Sequence, residues 1–357
     1  MARKSSKAKG RTDGIRWLSA ADPRLTVRGL AWFGENGGSF CRLPLRAKDV
    51  VRPDVWTLAQ QTAGGRLAFR SDATAMSVRA TTPNPGHMPH MPSTGSNGLS
   101  LYCGAPGRMR PWATAVPDME KGAYECQLFA AVAPRMREFI LYMPLYKELQ
   151  ALELGVNRGA RILKPSRPAV ERPVVFYGTS ITQGGCASTA GSDFVSIVGR
   201  LLNIDVVNLG FSGNGTGDAE VAELMSEIDA ALYVLDYAGN TDAKGLNRTL
   251  PRFIDILRAR RPTAPILIMT CVCFSRYDFS PAVRDGLEQK RDVMIEHYVR
   301  RRRRGDPNVH LVDGFGLIPF GTDAAYVDGV HPADHGFRMM AERLAPFIEQ
   351  ILLRDTP

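Results

Sequence analysis

Val174-Val175-Phe176-Tyr177-Gly178-Thr179-Ser180-Ile181-Thr182-Gln183-Gly184-Gly185 is the stretch from which this chain is best read. Its first four residues are β-branched or aromatic and suit a buried, pleated strand. The run stops at a glycine and passes into hydroxyl-bearing residues, which favour turns. Residues 194–202 then fit a helix.

The same alternation repeats to the end of the chain. Residues 205–208, 231–235, 265–269 and 309–312 read as further strands. Residues 218–228, 246–260, 283–304 and 336–353 read as further helices. Strands alternating with helices predict a doubly wound, flavodoxin-like α/β domain: a parallel five-stranded sheet covered on both faces. Ligands of such sheets bind beyond the carboxyl ends of the strands, so chemistry is expected in the loops that follow them.

Working back from Val174, Leu163-Lys164-Pro165-Ser166-Arg167-Pro168 reads as a linker, because two prolines bar regular pairing. Upstream of it, short apolar runs such as Arg66-Leu67-Ala68-Phe69, Ala75-Met76-Ser77-Val78 and Phe139-Ile140-Leu141-Tyr142 are broken by Gly, Pro and Asn. Several alternate with period two, the mark of half-buried strands, and no helical pattern of useful length appears. The expected organisation is therefore a disordered basic tail (1–15), an antiparallel β-sandwich (16–164) and the α/β domain (165–357).

Four loops of the α/β half carry the polar groups. The first holds Ser180, whose hydroxyl is a poor nucleophile unless a base assists it. The second, Asn208-Leu209-Gly210-Phe211-Ser212-Gly213-Asn214-Gly215, lets the backbone approach a ligand. The third ends in Asn240. The fourth, Asp328-Gly329-Val330-His331-Pro332, places an acid three residues before a histidine, where it can fix the imidazole tautomer. Together they supply what acyl transfer needs: Ser180 as nucleophile, His331 as base, Asp328 as its orienter. The N–H groups of Ser180 and Gly210 and the Asn240 amide are the expected oxyanion hole.

These blocks resemble the SGNH (GDSL-like) hydrolases, a family named for the Ser, Gly, Asn and His of four blocks. Gly178-Thr179-Ser180-Ile181-Thr182 looks like the first, with Thr179 in place of the commoner Asp. Gly210 matches the second and Asn240 the third, although Gly239-Asn240-Thr241 departs from the usual Gly-x-Asn-Asp. Asp328 to Pro332 match the last. Phe40-Cys41-Arg42-Leu43-Pro44 and Gly98-Leu99-Ser100-Leu101-Tyr102 resemble the β-sandwich domain that precedes some of these enzymes, with Ser100 replacing the acid of its Gly-x-Asp-Leu-Tyr motif. The resemblance implies an esterase, with carbohydrate deacetylases among its two-domain relatives.

Other residues are read more plainly. His335 is the rival base, but Pro332 puts His331 on a loop ahead of the last helix and His335 in its first turn. No cofactor and no metal is expected, since no glutamate accompanies the His331/His335 pair. Asp236 reads as strand-end polar structure and Cys186 as a small packing residue. His87 and His90 read as loop contacts, with a reach across to the site as the alternative. Trp32, Trp56 and Trp112 read as packing residues rather than a sugar-stacking surface.

The formal net charge of +9 over 357 residues is concentrated at Arg3, Lys4, Lys7, Lys9 and Arg11 and from Arg300 to Arg304. The second cluster suits the negative end of a helix, and nucleic-acid binding is not expected. Six cysteines fit no zinc spacing, and no apolar run approaches the roughly 20 residues that span a bilayer. A cytoplasmic protein is the expectation. The expected partner is a small-molecule or carbohydrate ester with a short acyl chain, an O-acetyl group on a carbohydrate or glycosylated small molecule being the leading reading, cleaved through an acyl-Ser180 intermediate. The alternatives are an acyltransferase using the same triad and a non-catalytic binding protein on an esterase fold; the oligomeric state is left open.

Overall fold

The computed structural model describes residues 14–354, and the basic residues Arg3 to Arg11 lie outside them. Ile15, assigned above to the tail, is instead the first residue of a strand, because its backbone pairs with Asn157.

The first half consists mainly of short strands: Ile15–Ser19 (β1), Thr26–Arg28 (β2), Arg66–Ser71 (β3), Met76–Thr81 (β4), Leu99–Cys103 (β5), Arg110–Ala115 (β6), Ala123–Phe129 (β7), Arg137–Tyr142 (β8), Ala151–Asn157 (β9) and Ile162–Leu163 (β10). One antiparallel sheet runs β1-β9-β4-β7 and the other β10-β3-β8-β5-β6, with β2 paired to β3. Alternate residues point between them: Leu67 and Phe69, Leu99 and Leu101, Phe139 and Leu141 from one sheet, Met76 and Val78, Leu154 and Val156 from the other. That period-two burial makes the sandwich core. Two short helices correct the all-strand expectation, Pro53–Ala59 (α1) and Ser93–Ser96 (α2). Neither is long enough for a 3.6-residue period to show in sequence.

The second half alternates as expected: Val174–Gly178 (β11), Ser180–Gln183 (α3), Phe194–Leu202 (α4), Val206–Gly210 (β12), Ala219–Glu227 (α5), Leu232–Asp236 (β13), Ala243–Arg260 (α6), Ile266–Met269 (β14), Pro281–Arg303 (α7), Val309–Val312 (β15) and Asp334–Arg354 (α8). The strands are parallel in the order β12-β11-β13-β14-β15. Val174 and Phe176 of β11 face α4 and α8, with the Phe176 ring 5.9 Å from Phe194. Val175 and Tyr177 face α5 and α6, with the Tyr177 ring 4.8 Å from Phe253. β11 lies at the switch point where the winding reverses, which is where such sheets open a crevice.

The halves are not separate in their packing. Leu43 and Val55, from segments between β2 and β3, are fully buried in the core on the α5–α7 side of the parallel sheet. Tyr102, Tyr142, Leu145 and Tyr146 join the core on the other side. Each such fully buried side chain contributes about 1.5–3 kcal/mol, so the interface between the halves is itself a hydrophobic core.

Candidate active site

Ser180 stands two residues beyond the end of β11, as the first residue of α3. Thr179 caps the helix: its Oγ1 accepts the Ile181 N–H at 3.2 Å, and Thr182 Oγ1 accepts the Thr179 N–H at 3.2 Å. Thr179 thus does what an acid does at many helix starts, accepting a main-chain N–H. The Thr182 hydroxyl in turn donates to Asp236 Oδ2 at 2.7 Å. The Ser180 N–H, first in its helix, has no intrahelical acceptor.

The last loop brings His331 to Ser180. Ser180 Oγ is 2.8 Å from His331 Nε2, and His331 Nδ1 is 2.7 Å from Asp328 Oδ2. Asp328 Oδ1 also accepts the main-chain N–H groups of Val330 (3.0 Å) and His331 (2.8 Å). Partial burial pushes the Asp328 carboxyl up, but the His331 main-chain and ring hydrogen bonds, with that of Val330, outweigh it and hold it at about 2. His335 is exposed on α8 and takes no part in this chain of contacts.

The oxyanion side needs one correction. The Gly210 N–H donates to Asn208 Oδ1 at 2.9 Å inside the protein. A side chain at Gly210 would lie 2.2 Å from the Gln183 nitrogen, so this glycine serves the contact between β12 and α3. Gly213, three residues on, is exposed at φ 70°, and its N–H has no protein acceptor among the described residues. Asn240 lies in the turn after β13 and uses its amide on the Phe211 carbonyl at 3.3 Å. It is only partly buried, so its second amide hydrogen is available to a ligand.

Residues 171–349 match the model of the GDSL-like lipase/acylhydrolase family. The chain belongs to this family. Residues 15–162 match the model of the N-terminal domain of SGNH-hydrolase-type esterases. Among solved structures, the chain is similar to a Bacteroides ovatus protein described as a GDSL-like lipase, with 28% identity over 95% of this chain and 98% of that one at a TM-score of 0.86. A salicylyl-acyltransferase from a tetracycline biosynthetic pathway shares 23% identity over 97% and 99% at 0.78. A family two carbohydrate esterase from Clostridium thermocellum shares 17% over 81% and 93% at 0.61. The last two show a common fold. No curated protein sequence matches the chain.

Three residues not assigned to this GDSL-like site from sequence hold its loops in place, and a fourth borders it. Arg42 is 1% exposed and has no carboxylate partner among the described residues. It donates instead to the carbonyls of Leu58 (2.7 Å), Gln61 (2.7 Å), Asn208 (3.1 Å) and Gly210 (2.6 Å), with its guanidinium 4.8 Å from the Phe211 ring. Burial pushes it down to about 10, still charged at neutral pH. Asn208 donates to the Thr182 carbonyl at 2.6 Å. Gln183 accepts the Ser212 N–H at 3.0 Å and donates to Gln61 and Leu145 from the sandwich half. The hint for Asn208 was a polar residue inside the run Val206-Val207-Asn208-Leu209; an arginine among loop residues gave none.

His90 is the fourth, and here the alternative reading of its loop holds. Its ring lies 5.9 Å from that of His331, while the neighbouring Met91 is anchored in the core between the halves. His87 meets Ser93 Oγ at 3.0 Å. Burial pushes Cys186 up to about 12, with Asp328 adding to the shift, so its thiol is no rival nucleophile. Trp32 is buried in the α/β core and Trp56 packs beside it, whereas Trp112 stacks on Phe129 of the sandwich; they form no common surface. Arg300, Arg301 and Arg302 bond to Glu296, Asp255 and the Pro307 carbonyl, as a solvated helix end would. Among the described residues, no helix is long and apolar enough to cross a membrane.

Proposed function

We propose that this protein is a serine esterase that hydrolyses a short-chain carboxylic ester, an O-acetyl group on a carbohydrate or glycosylated small molecule. The observation that carries the reading is the continuous chain of contacts Ser180–His331–Asp328 at 2.8 and 2.7 Å. Ser180 Oγ attacks the ester carbon while His331 Nε2 takes its proton, and Asp328 holds the tautomer that leaves Nε2 free. The tetrahedral oxyanion is met by the N–H groups of Ser180 and Gly213 and by the Asn240 amide. One such donor is worth about 3–4 kcal/mol in the transition state. His331 returns the proton to the departing alkoxide, and water then repeats the sequence on the acyl-serine.

Hydrolysis is favoured over transfer because the His331 and Asp328 side chains remain 21% and 40% exposed, which leaves the acyl-enzyme open to water. A sugar ester is supported by the two-domain architecture shared with the carbohydrate esterase, and by the polar groups, His90 and Asn240, that flank the triad.

The test is hydrolysis of p-nitrophenyl acetate, butyrate and octanoate by wild type and Ser180→Ala. The expectation is turnover falling with chain length, and a loss of at least about 10³-fold in the variant. Absence of turnover on every ester would remove the esterase reading. Recovery of the acyl group only on an added alcohol would turn it into a transferase.

A further inference from the structure

The catalytic dyad has a third neighbour that the mechanism does not use. Cys186 follows the two glycines that end α3, is a free thiol, and is 3% exposed. Its φ is 76°, a left-handed conformation that a side chain with a Cβ rarely adopts. Backbone strain of this kind persists only where the surroundings enforce it, and it gathers at ligand and active sites. Here it accompanies a particular placement: Sγ of Cys186, a ring nitrogen of His331 and a carboxylate oxygen of Asp328 lie within 4.8 Å of one another.

We propose that Cys186, Asp328 and His331 form an inhibitory site for a borderline divalent metal ion, with Zn²⁺ the best match to its donors. Thiolate, imidazole and carboxylate are the ligand set that Zn²⁺ takes, with a remaining position for water. Bond lengths of about 2.0–2.3 Å set the ligands of one tetrahedral Zn²⁺ about 3.3–3.8 Å apart. Side-chain rotation on the order of 1 Å therefore closes the trio on an ion. Asp328, 40% exposed, opens the way in from solvent. As the metal binds, the Cys186 thiol gives up its proton to water and the S–Zn bond replaces the S–H bond.

The site rests on the reading of His331 as the base, and it silences that base whichever ring nitrogen the metal takes. Metal on Nε2 occupies the lone pair that should receive the Ser180 proton. Metal on Nδ1 displaces the proton shared with Asp328 and leaves hydrogen on Nε2, the wrong tautomer. Substrate turnover and metal binding then exclude each other.

The experiment is a titration of chelator-treated protein with Co²⁺, followed by the near-ultraviolet thiolate-to-metal charge-transfer band, beside inhibition of ester hydrolysis by Zn²⁺. Wild type and Ser180→Ala should both give the band, since both keep the three ligands. Cys186→Ser and Cys186→Ala should lack it, keep metal-free activity, and need about 100-fold more Zn²⁺ for half-inhibition. If neither cysteine variant folds, Asp328→Asn carries the binding test. No band in wild type, or equal Zn²⁺ sensitivity with and without Cys186, overturns the site. A metal-free wild type that cleaves no ester would instead count against the esterase reading, while the Co²⁺ band in Ser180→Ala still decides the metal site.

Discussion

The α/β half and the sandwich half reach the same site by different routes. Ser180, Gly213, Asn240 and the Asp328–His331 pair come from loops at the ends of β11, β12 and β13 and ahead of α8. Each sits a few residues from the element that positions it. The sandwich half contributes through segments outside both of its sheets: Arg42 and Gln61 from around α1, and His90 from the stretch between β4 and α2. The groups proposed to react are thus supplied locally, with Asn208 and Gln183 holding them from the same half, whereas Arg42, Gln61 and His90 arrive from more than a hundred residues away. A site built this way fails in two different manners, by losing chemistry or by losing alignment, and the two halves can be told apart by which failure a mutation produces.

The sharpest test is Arg42, the positioning residue that ties the halves together. Arg42→Met removes a donor from the Leu58, Gln61, Asn208 and Gly210 carbonyls; that of Leu58 keeps the Gln61 N–H, and a buried acceptor left unpaired costs about 1–3 kcal/mol. The loop that presents Gly213 should shift, and a misplacement of about 1 Å costs up to 10²-fold in rate. The expected outcome is a lower melting temperature and a kcat reduced on the order of 10–10²-fold at temperatures where the variant is folded, with KM little changed and Arg42→Lys in between. A variant that is less stable yet keeps full kcat would show that Arg42 serves folding alone, and the two halves would then be independent in function.

His90 should give a smaller effect of another kind. Its ring borders His331 without bonding to it, so under the proposed function it would meet the ester's alcohol portion rather than the reacting atoms. His90→Ala should raise KM several-fold for an acetylated sugar and leave p-nitrophenyl acetate nearly untouched, measured by initial rates on both. An equal fall of kcat on both substrates would mean that His90 acts on His331 itself, and the sandwich would then supply chemistry.

The same contrast explains what could be read from sequence. β11 to β14 are legible because a strand buried on both faces is mostly apolar, with Asn208 and Asp236 as the polar exceptions, and β15, only half-buried at the sheet edge, is legible from its place between two helices that carry a 3.6-residue period. Ser180, Asp328 and His331 could be grouped from sequence because each lies beside its strand or turn, and the structure brings the three side chains together. Gly210 was mistaken for an oxyanion donor because spacing along a loop does not show where an N–H points: that of Gly210 turns inward to Asn208, whereas that of Gly213 meets no protein acceptor among the described residues. Arg42 was not legible as a site residue, and His90 only as an alternative, because nothing in a loop sequence records which distant loop it will touch. The helix α1 was missed for a simpler reason, having only about two turns in which to show a period.

Asp236 tests the comparison from within the α/β half, where the expected change in rate is smallest. Burial pushes its carboxyl up to about 8, against the pull of the Thr182 hydroxyl, so at neutral pH it is mostly an uncharged acid beneath the nucleophile turn. The folded state keeps a proton that the unfolded chain releases above about 3.8. Stability should therefore fall as pH rises from about 4 to about 8 and level off beyond, because the unfolded state binds fewer protons over that window. Asp236→Asn retains an oxygen for the Thr182 hydroxyl and removes the titration. Its melting temperature should fall less than that of wild type over the same window, by calorimetry at several pH values, while kcat at neutral pH stays near the wild-type value. If the asparagine variant loses activity as Ser180→Ala does, Asp236 works as a charged group, and the division between reactive loops and supporting framework would have to be redrawn inside the α/β half.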